Sequence, residues 1–98
     1  MRKSSLFTDE ALVLLTIYNT VLSRTNISKW DVALECYKHG LGSFVKVYRK
    51  MKKLEKEGLI SLHPEGKFPF RHFVRLTEKG RRIAHKLSEI ASELEVDG

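Results

Sequence analysis

The residues most capable of chemistry in this sequence are the Lys and Arg side chains between Ser43 and Glu57. On a helix turning about 100° per residue, most of them would lie opposite the apolar side chains of the same segment. A guanidinium can bind the O6 and N7 atoms of guanine together, and an ammonium can bind a phosphate. The segment therefore predicts a DNA-contact surface formed by Ser43, Val45, Lys46, Arg49, Lys52, Lys53 and Lys56.

The apolar side of this segment determines which cation faces outward. The apolar residues fall within about a quarter of the helical circle; they are Phe44, Val47, Met51 and Leu54. Arg49 lies opposite their centre and is the first candidate for a base contact, with Lys46 second. Ser43 is expected to donate to a phosphate at the helix N-terminus. The lysines further along the helix are expected to bind phosphates: Lys52, Lys53 and Lys56.

A lysine-rich helix face is often merely solvated, so the charge distribution matters. The chain of 98 residues has a net charge of +6. Residues 43–82 contain 12 Lys and Arg against 4 Asp and Glu, a net charge of +8, so the rest of the chain has a net charge of −2. The positive charge is therefore concentrated in one block, which favours an anionic partner for that block.

Other chemistry finds little support in the sequence. No nucleophile is paired with a base in a recognisable motif and no glycine-rich phosphate loop is present, so we expect neither an enzyme nor a cofactor. Cys36 and His39 have a metal-like spacing, but two ligands are too few for a structural zinc site, and we expect no metal. Cys36 is the only cysteine; it is expected to be a small packing residue, with an intersubunit disulfide as the alternative.

Capping residues and periodicity predict the helices that come before the basic segment. Thr8 is expected to cap a first helix that is apolar on more than one face, and Ser28 with Asp31 to cap a second. Gly40 is expected to end the second helix, which leaves a short turn over residues 39–42. Spacing gives the second helix one apolar face, formed by Trp30, Ala33, Leu34 and Tyr37.

A basic hairpin is predicted after the basic helix. Residues 59–62 and 72–76 are expected to be strands, and residues 63–71 a long loop because they contain both prolines and a glycine. Lys67 and Arg71 at this tip are the expected contacts with a neighbouring minor groove or DNA backbone. A plain surface hairpin is the alternative.

The predicted element order defines the fold class. Ile27 is a candidate for a very short strand, and Thr77 is expected to cap a last helix. The order helix–strand–helix–helix–strand–strand–helix is that of an α+β winged helix-turn-helix with a C-terminal dimerisation helix. We expect one domain over residues 1–98, divided into a helix-turn-helix (28–57), a wing (59–76) and a C-terminal helix (77–95).

Two segments of the chain resemble a known superfamily. "SFVKVYRKMKKLEKEGLI" is similar to the recognition-helix segment of MarR-like and PadR-like winged-helix regulators, and "FVRLTEKGRRIAHKL" resembles the stretch that follows their wing. The resemblance covers roughly residues 8–95. It implies dimers, operator binding and transcriptional control, and it places Arg49 at a position that often contacts DNA. Minimal winged helices of this kind also occur in archaea and their viruses.

MarR-like proteins usually carry additional helices for dimerisation and ligand binding, for which this chain has little room. We therefore expect no small-molecule effector. Ile83, Leu87 and Ile90 continue the heptad-like spacing to Leu94, and the first helix has apolar surface to spare. A homodimer is expected through both helices, although packing of the last helix on its own domain is equally compatible with the spacing. The expected interface residues are Leu14, Tyr18, Ile83, Leu87, Ile90 and Leu94.

The function predicted from the sequence is a dimeric, sequence-specific transcription regulator of double-stranded DNA. A sequence-tolerant architectural DNA-binding protein and a winged-helix protein–protein interaction module are the alternatives. No apolar run approaches the roughly 18 residues of a membrane span, and no signal peptide is recognisable, so we expect no membrane partner and a cytoplasmic, DNA-associated location.

Overall fold

The computed structural model describes residues 7–66 and 68–97 of the chain. Its helices and strands are α1 (Asp9–Ser23), α2 (Lys29–Lys38), α3 (Phe44–Lys56), β1 (Ile60–Glu65), β2 (Phe68–Leu76) and α4 (Glu78–Asp97). β1 and β2 form an antiparallel two-stranded sheet. This arrangement confirms the predicted α+β winged helix-turn-helix.

The predicted short strand before α2 is a single bridge to the hairpin. Ser28 pairs with Phe73, and the Val74 N–H donates to the Ile27 carbonyl at 2.8 Å. Ile27 itself is buried in the core. This pairing fixes the start of α2 against the strand that returns from the hairpin tip.

The predicted helix caps are present. Thr8 Oγ1 accepts from the Ala11 N–H, and Ser43 Oγ accepts from the Lys46 N–H. Ser28 and Asp31 form a reciprocal capping box, with bonds of 3.1 and 2.9 Å. Each cap satisfies N–H groups that a helix leaves unpaired at its start, so these residues set where the helices begin.

α1 is the central helix of the core. A continuous run from Leu12 to Ile17 is buried, and α1 packs against α2, α3, α4 and β2. The expectation that one apolar face of α1 is left for a partner subunit was therefore wrong over this run. Other elements of the same chain already cover both faces.

α2 buries a different face from the predicted one. Its buried residues are Val32, Ala33 and Cys36, whereas Trp30 is 54% exposed and Tyr37 is 64% exposed. Trp30 and Tyr37 instead pack edge-on against the Phe44 ring, at centroid distances of 4.6 and 6.0 Å. The segment is helical, as its spacing predicted, but Trp30 and Tyr37 form a surface cluster with Phe44 instead of entering the core.

The hairpin strands are longer than predicted. Most of residues 63–71, predicted to be a loop, lies in β1 or β2, and the chain reverses around Gly66, whose φ is +45°. The register shifts after Pro64, which pairs with His72, so that Glu65 pairs with Phe68. Prolines are tolerated here because each strand of a two-stranded sheet has an unpaired edge.

The start of α4 lies close to the residues that follow α3, Gly58 and Leu59. Thr77 Oγ1 donates to the Gly58 carbonyl at 2.6 Å and accepts from the Gly80 N–H at 3.0 Å. A Cβ atom at Gly80 would overlap the Leu59 carbonyl, so only glycine fits at this crossing. The two sequence segments that carry the family resemblance therefore meet in space.

None of the helices in the described ranges has the length and apolar character that a membrane span requires.

Candidate nucleic-acid interface

α3 has three faces with different surroundings. Its apolar face is buried as predicted: Val47, Met51 and Leu54 are at most 1% exposed, and Phe44 packs against the core from its edge. This face anchors α3 to the domain. The other two faces carry the six Lys and Arg side chains of the helix, and the structure separates them into two sets.

The outward face of α3 consists of Val45, Arg49, Lys52 and Lys56. All four residues are exposed, and Val45 retains 60% of its surface. Within the described part of the chain, the three cationic side chains have no ion pair. Arg49 lies on the side opposite the buried stripe, as its position in the sequence predicted. The outward face therefore offers a guanidinium, two ammonium groups and a small apolar contact to a ligand.

The flank of α3 that faces α1 consists of Lys46, Lys50 and Lys53. Lys46 Nζ lies 3.1 Å from Asp9 Oδ2. Lys50 Nζ and Lys53 Nζ lie 3.0 and 3.2 Å from the same oxygen of Glu10, Oε1. The sequence predicted DNA contacts for Lys46 and Lys53 and passed over Lys50. In the structure all three are bound by acidic residues of α1.

The signal for this flank was present in the sequence. Lys46, Lys50 and Lys53 stand at i, i+4 and i+7, which is one helical stripe. Asp9 and Glu10 lie in the first turn of α1, where acidic side chains also suit the positive end of the helix dipole. Because α1 packs across α3, they also face the lysine stripe. These ion pairs depend on how α1 packs against α3. The spacing of residues within one helix does not predict that packing.

The ion pairs between α1 and α3 strongly favour the charged form of Glu10. The hydrogen bond from Lys50 is the largest cause, and together with Lys53 and a backbone hydrogen bond it lowers the pKa of Glu10 from 4.5 to about 2. The carboxylate is therefore charged at neutral pH and keeps both ammonium groups beside it.

A concave surface separates α3 from the hairpin. Side chains from α2, α3 and β2 line it: Lys29, Trp30, Asp31, Tyr48, Arg71, His72 and Phe73. Lys29 Nζ lies 5.2 Å from the centroid of the Tyr48 ring, a cation–π contact. His72 Nδ1 is buried here and has no hydrogen-bond partner within the described residues. A neighbouring concave surface lies between the outward face of α3 and the hairpin, and its lining includes Val45, Arg49, Lys52, Glu55, Leu62, Pro64 and His72.

The remaining predicted DNA contacts have different surroundings. Ser43 is exposed, and its hydroxyl oxygen is used by the α3 cap at 3.3 Å from the Lys46 nitrogen. Arg71 is exposed on β2 beside the concave surface. Lys67, predicted as a contact of the wing, lies outside the described residues.

Two predictions about pairing between subunits need correction. Leu14 is only 2% exposed because it lies in the core of its own chain, so it has no surface to offer a dimer interface. Cys36 is fully buried, and burial raises the pKa of its thiol to about 11. A buried, protonated thiol is unsuited to an intersubunit disulfide; Cys36 is the small packing residue that the sequence favoured.

The other predicted interface residues lie along α1 and α4. Ile83 and Ile90 are exposed at 37% and 45%, and Leu87 and Leu94 are partly buried beside them. Tyr18 packs against the core, and its hydroxyl lies 3.0 Å from His85 Nδ1 of α4. α4 therefore keeps an apolar stripe at the surface, while Tyr18 already has a partner within the chain.

No protein-family model matches this chain, and no curated protein sequence matches it. Solved structures match it over nearly its whole length. F-93 of SSV1 has a TM-score of 0.77 at 23% identity, over 99% of this chain and 100% of F-93. AF1382 from Archaeoglobus fulgidus has a TM-score of 0.77 at 27% identity, over 92% of each chain.

A larger structural neighbour is MepR from Staphylococcus aureus, described as a transcription regulator of the multidrug efflux pump MepA. In its complex with DNA, MepR matches with a TM-score of 0.73 at 19% identity. The match covers 92% of this chain but 61% of MepR, so this chain spans about three fifths of its length. These likenesses confirm that the chain has the winged-helix fold.

Proposed function

We propose that this protein is a dimeric transcription regulator that binds specific double-stranded DNA sequences. In this proposal the outward face of α3 enters the major groove and the hairpin lies near the adjacent minor groove. The observation that carries it is the outward face itself. Arg49, Lys52 and Lys56 are exposed and without ion pairs in the described structure, although acidic residues elsewhere on the domain hold other lysines of the same helix.

The chemistry of this face suits base reading as well as phosphate binding. An Arg fork at the centre of the helix can bind guanine O6 and N7, and the exposed Val45 can contact a thymine methyl group. Lys52 and Lys56 would bind phosphates, which supply affinity without sequence information. The concave surface beside α3 provides cations and aromatic rings toward the wing, where Arg71 would contact the backbone.

The structural neighbours support the same function. MepR is a transcription regulator of the same fold and has been crystallised with DNA. A reaction mechanism has no comparable support: no group of three or more potential metal ligands occurs in the described residues. We therefore propose a DNA-binding protein without catalytic activity, located inside the cell.

The dimer is part of the proposal because a recognition helix alone reads few bases. The exposed stripe of Ile83 and Ile90, with Leu87 and Leu94 beside it, has the spacing of a helix-pairing seam. A two-fold dimer would place the two α3 helices about 34 Å apart, one turn of DNA, and favour a palindromic site. We propose α4, rather than α1, as the main dimer element because the apolar run of α1 from Leu12 to Ile17 is buried within its own chain.

The experiment that tests this function is selection of bound duplexes from a random DNA pool, followed by competition binding at physiological salt. The proposal predicts a shared, palindromic motif bound at least about 10³-fold more tightly than random DNA. Binding of all duplexes alike would contradict sequence-specific regulation and support an architectural protein. The absence of any DNA binding would favour a protein–protein interaction module.

A further inference from the structure

The acidic start of α1 is placed to compete with DNA for the basic helix. Asp9 and Glu10 hold Lys46, Lys50 and Lys53, which are three of the six cations of α3. The remaining three form the outward face. α3 therefore presents to DNA only about half of the charge that its sequence carries.

We propose that Asp9 and Glu10 are specificity-determining residues, which suppress sequence-independent DNA binding by occupying the lysines on the α1-facing flank of α3. This inference rests on the proposed function. It adds that the carboxylates of α1 act in place of DNA phosphates on that flank, and that their removal lets the protein bind any DNA more tightly.

The geometry supports competition rather than anchoring alone. Lys46 and Lys53 retain 46% and 60% of their side-chain surface, so a phosphate can reach their ammonium groups. Lys50 retains only 28% and is the one most nearly enclosed. Glu10 serves both Lys50 and Lys53 through a single oxygen, so neutralising one carboxylate releases two ammonium groups together.

The flank and the outward face contribute differently to the two kinds of binding. In a sequence-specific complex the outward face is fixed in the groove, and the flank remains turned toward α1. In a sequence-independent complex the protein can tilt, so that any free lysine finds a phosphate and releases a counterion. Charge on the flank therefore strengthens binding to random DNA more than binding to the selected site.

The test compares Glu10→Gln with the wild-type protein on a selected duplex and on a random duplex of equal length, over a series of salt concentrations. Gln keeps the size of Glu and one acceptor oxygen while it removes the charge, and thermal melting at neutral pH checks that the variant folds. We expect random DNA to bind about 10-fold more tightly near 0.1 M salt, with a slope of log affinity against log salt steeper by about one to two. The ratio of selected to random affinity should fall.

Two controls separate this effect from a change in net charge. Glu89→Gln removes the same charge from α4, where the carboxylate lies 3.7 Å from His85, and should leave both affinities nearly unchanged. In a protein that already carries Lys50→Gln and Lys53→Gln, adding Glu10→Gln should produce no gain. A gain that persists in this background would overturn the proposal.

The outcomes also distinguish the inference from the proposed function. If the wild type prefers its selected duplex and Glu10→Gln changes neither affinity nor slope, the inference fails and the function stands. If Glu10→Gln weakens selected binding and lowers the melting temperature without strengthening random binding, Glu10 only anchors α3, and the inference fails. If the wild type binds neither duplex, the proposed function fails and the inference fails with it.

Discussion

The two charged faces of α3 contain similar side chains in different situations. On the outward face, Arg49, Lys52 and Lys56 are exposed and have no ion pair in the described structure. On the α1-facing flank, Lys46, Lys50 and Lys53 lie 3.0 to 3.2 Å from carboxylate oxygens of α1. The difference does not arise from α3 but from the helix packed beside it.

This comparison shows why a count of basic residues overstates a binding surface. The block of residues 43–82 has a net charge of +8, yet part of that charge is neutralised by residues some forty positions earlier in the chain. The charge that a partner meets depends on which cations the fold leaves unpaired. Within α3 those cations are Arg49, Lys52 and Lys56.

The largest expected effect concerns the third, buried face of α3. Met51→Ala should lower the free energy of unfolding by about 2–5 kcal/mol, because Met51 is fully buried and its removal leaves a cavity. Val45→Ala, on the outward face, should change it by no more than about 0.5 kcal/mol. Urea unfolding followed by circular dichroism measures both. Equal losses would mean that the faces of α3 are assigned wrongly.

The ion pairs of the flank predict an acid sensitivity of the fold. The pKa of Glu10 is about 2 in the folded chain against 4.5 ordinarily, so its pairing stabilises the fold fully above about pH 4.5. That stabilisation, about 1–2 kcal/mol after allowance for solvent, is lost as the pH falls toward 2. Urea unfolding between pH 2 and 7 should show a shallower decline in Glu10→Gln than in the wild type. Identical profiles would contradict the pairing.

The smallest effect compares one lysine from each face. Lys56→Ala should weaken binding to all DNA sequences alike and flatten the salt slope by about one, because one phosphate contact is lost. Lys53→Ala should change the slope less, since Glu10 already holds Lys53. Fluorescence anisotropy on one duplex at several salt concentrations measures both slopes. A larger change for Lys53→Ala than for Lys56→Ala would reverse the assignment of the two faces.

Local signals were sufficient to predict most of the fold. The caps at Thr8, Ser28 and Ser43 depend on side chains within three residues of the N–H groups they bind, so the sequence displays them directly. The buried stripe of α3 follows from helical periodicity in the same way. The hairpin was predicted to have a longer loop because proline and glycine usually mark turns, whereas here Pro64 lies within an edge strand.

Features that depend on packing between distant segments could not be predicted. The burial of Leu14 and the pairing of Lys50 both depend on how α1 lies across the rest of the domain. Trp30 stays at the surface and packs edge-on against Phe44, a contact between two helices that the spacing within α2 does not predict. The position of Arg49 was predictable because it needs only the buried stripe of its own helix.

The most direct test of the account is the affinity of Arg49→Ala for a selected duplex and for variants of that duplex with single base changes. We expect the substitution to weaken binding to the selected duplex by about 1–3 kcal/mol and to abolish discrimination at one base pair of each half-site, with the fold intact by circular dichroism. Lys53→Ala serves as the control and should preserve discrimination at every position. If Arg49→Ala bound every duplex as the wild type does, the claim that the outward face of α3 reads DNA would be contradicted.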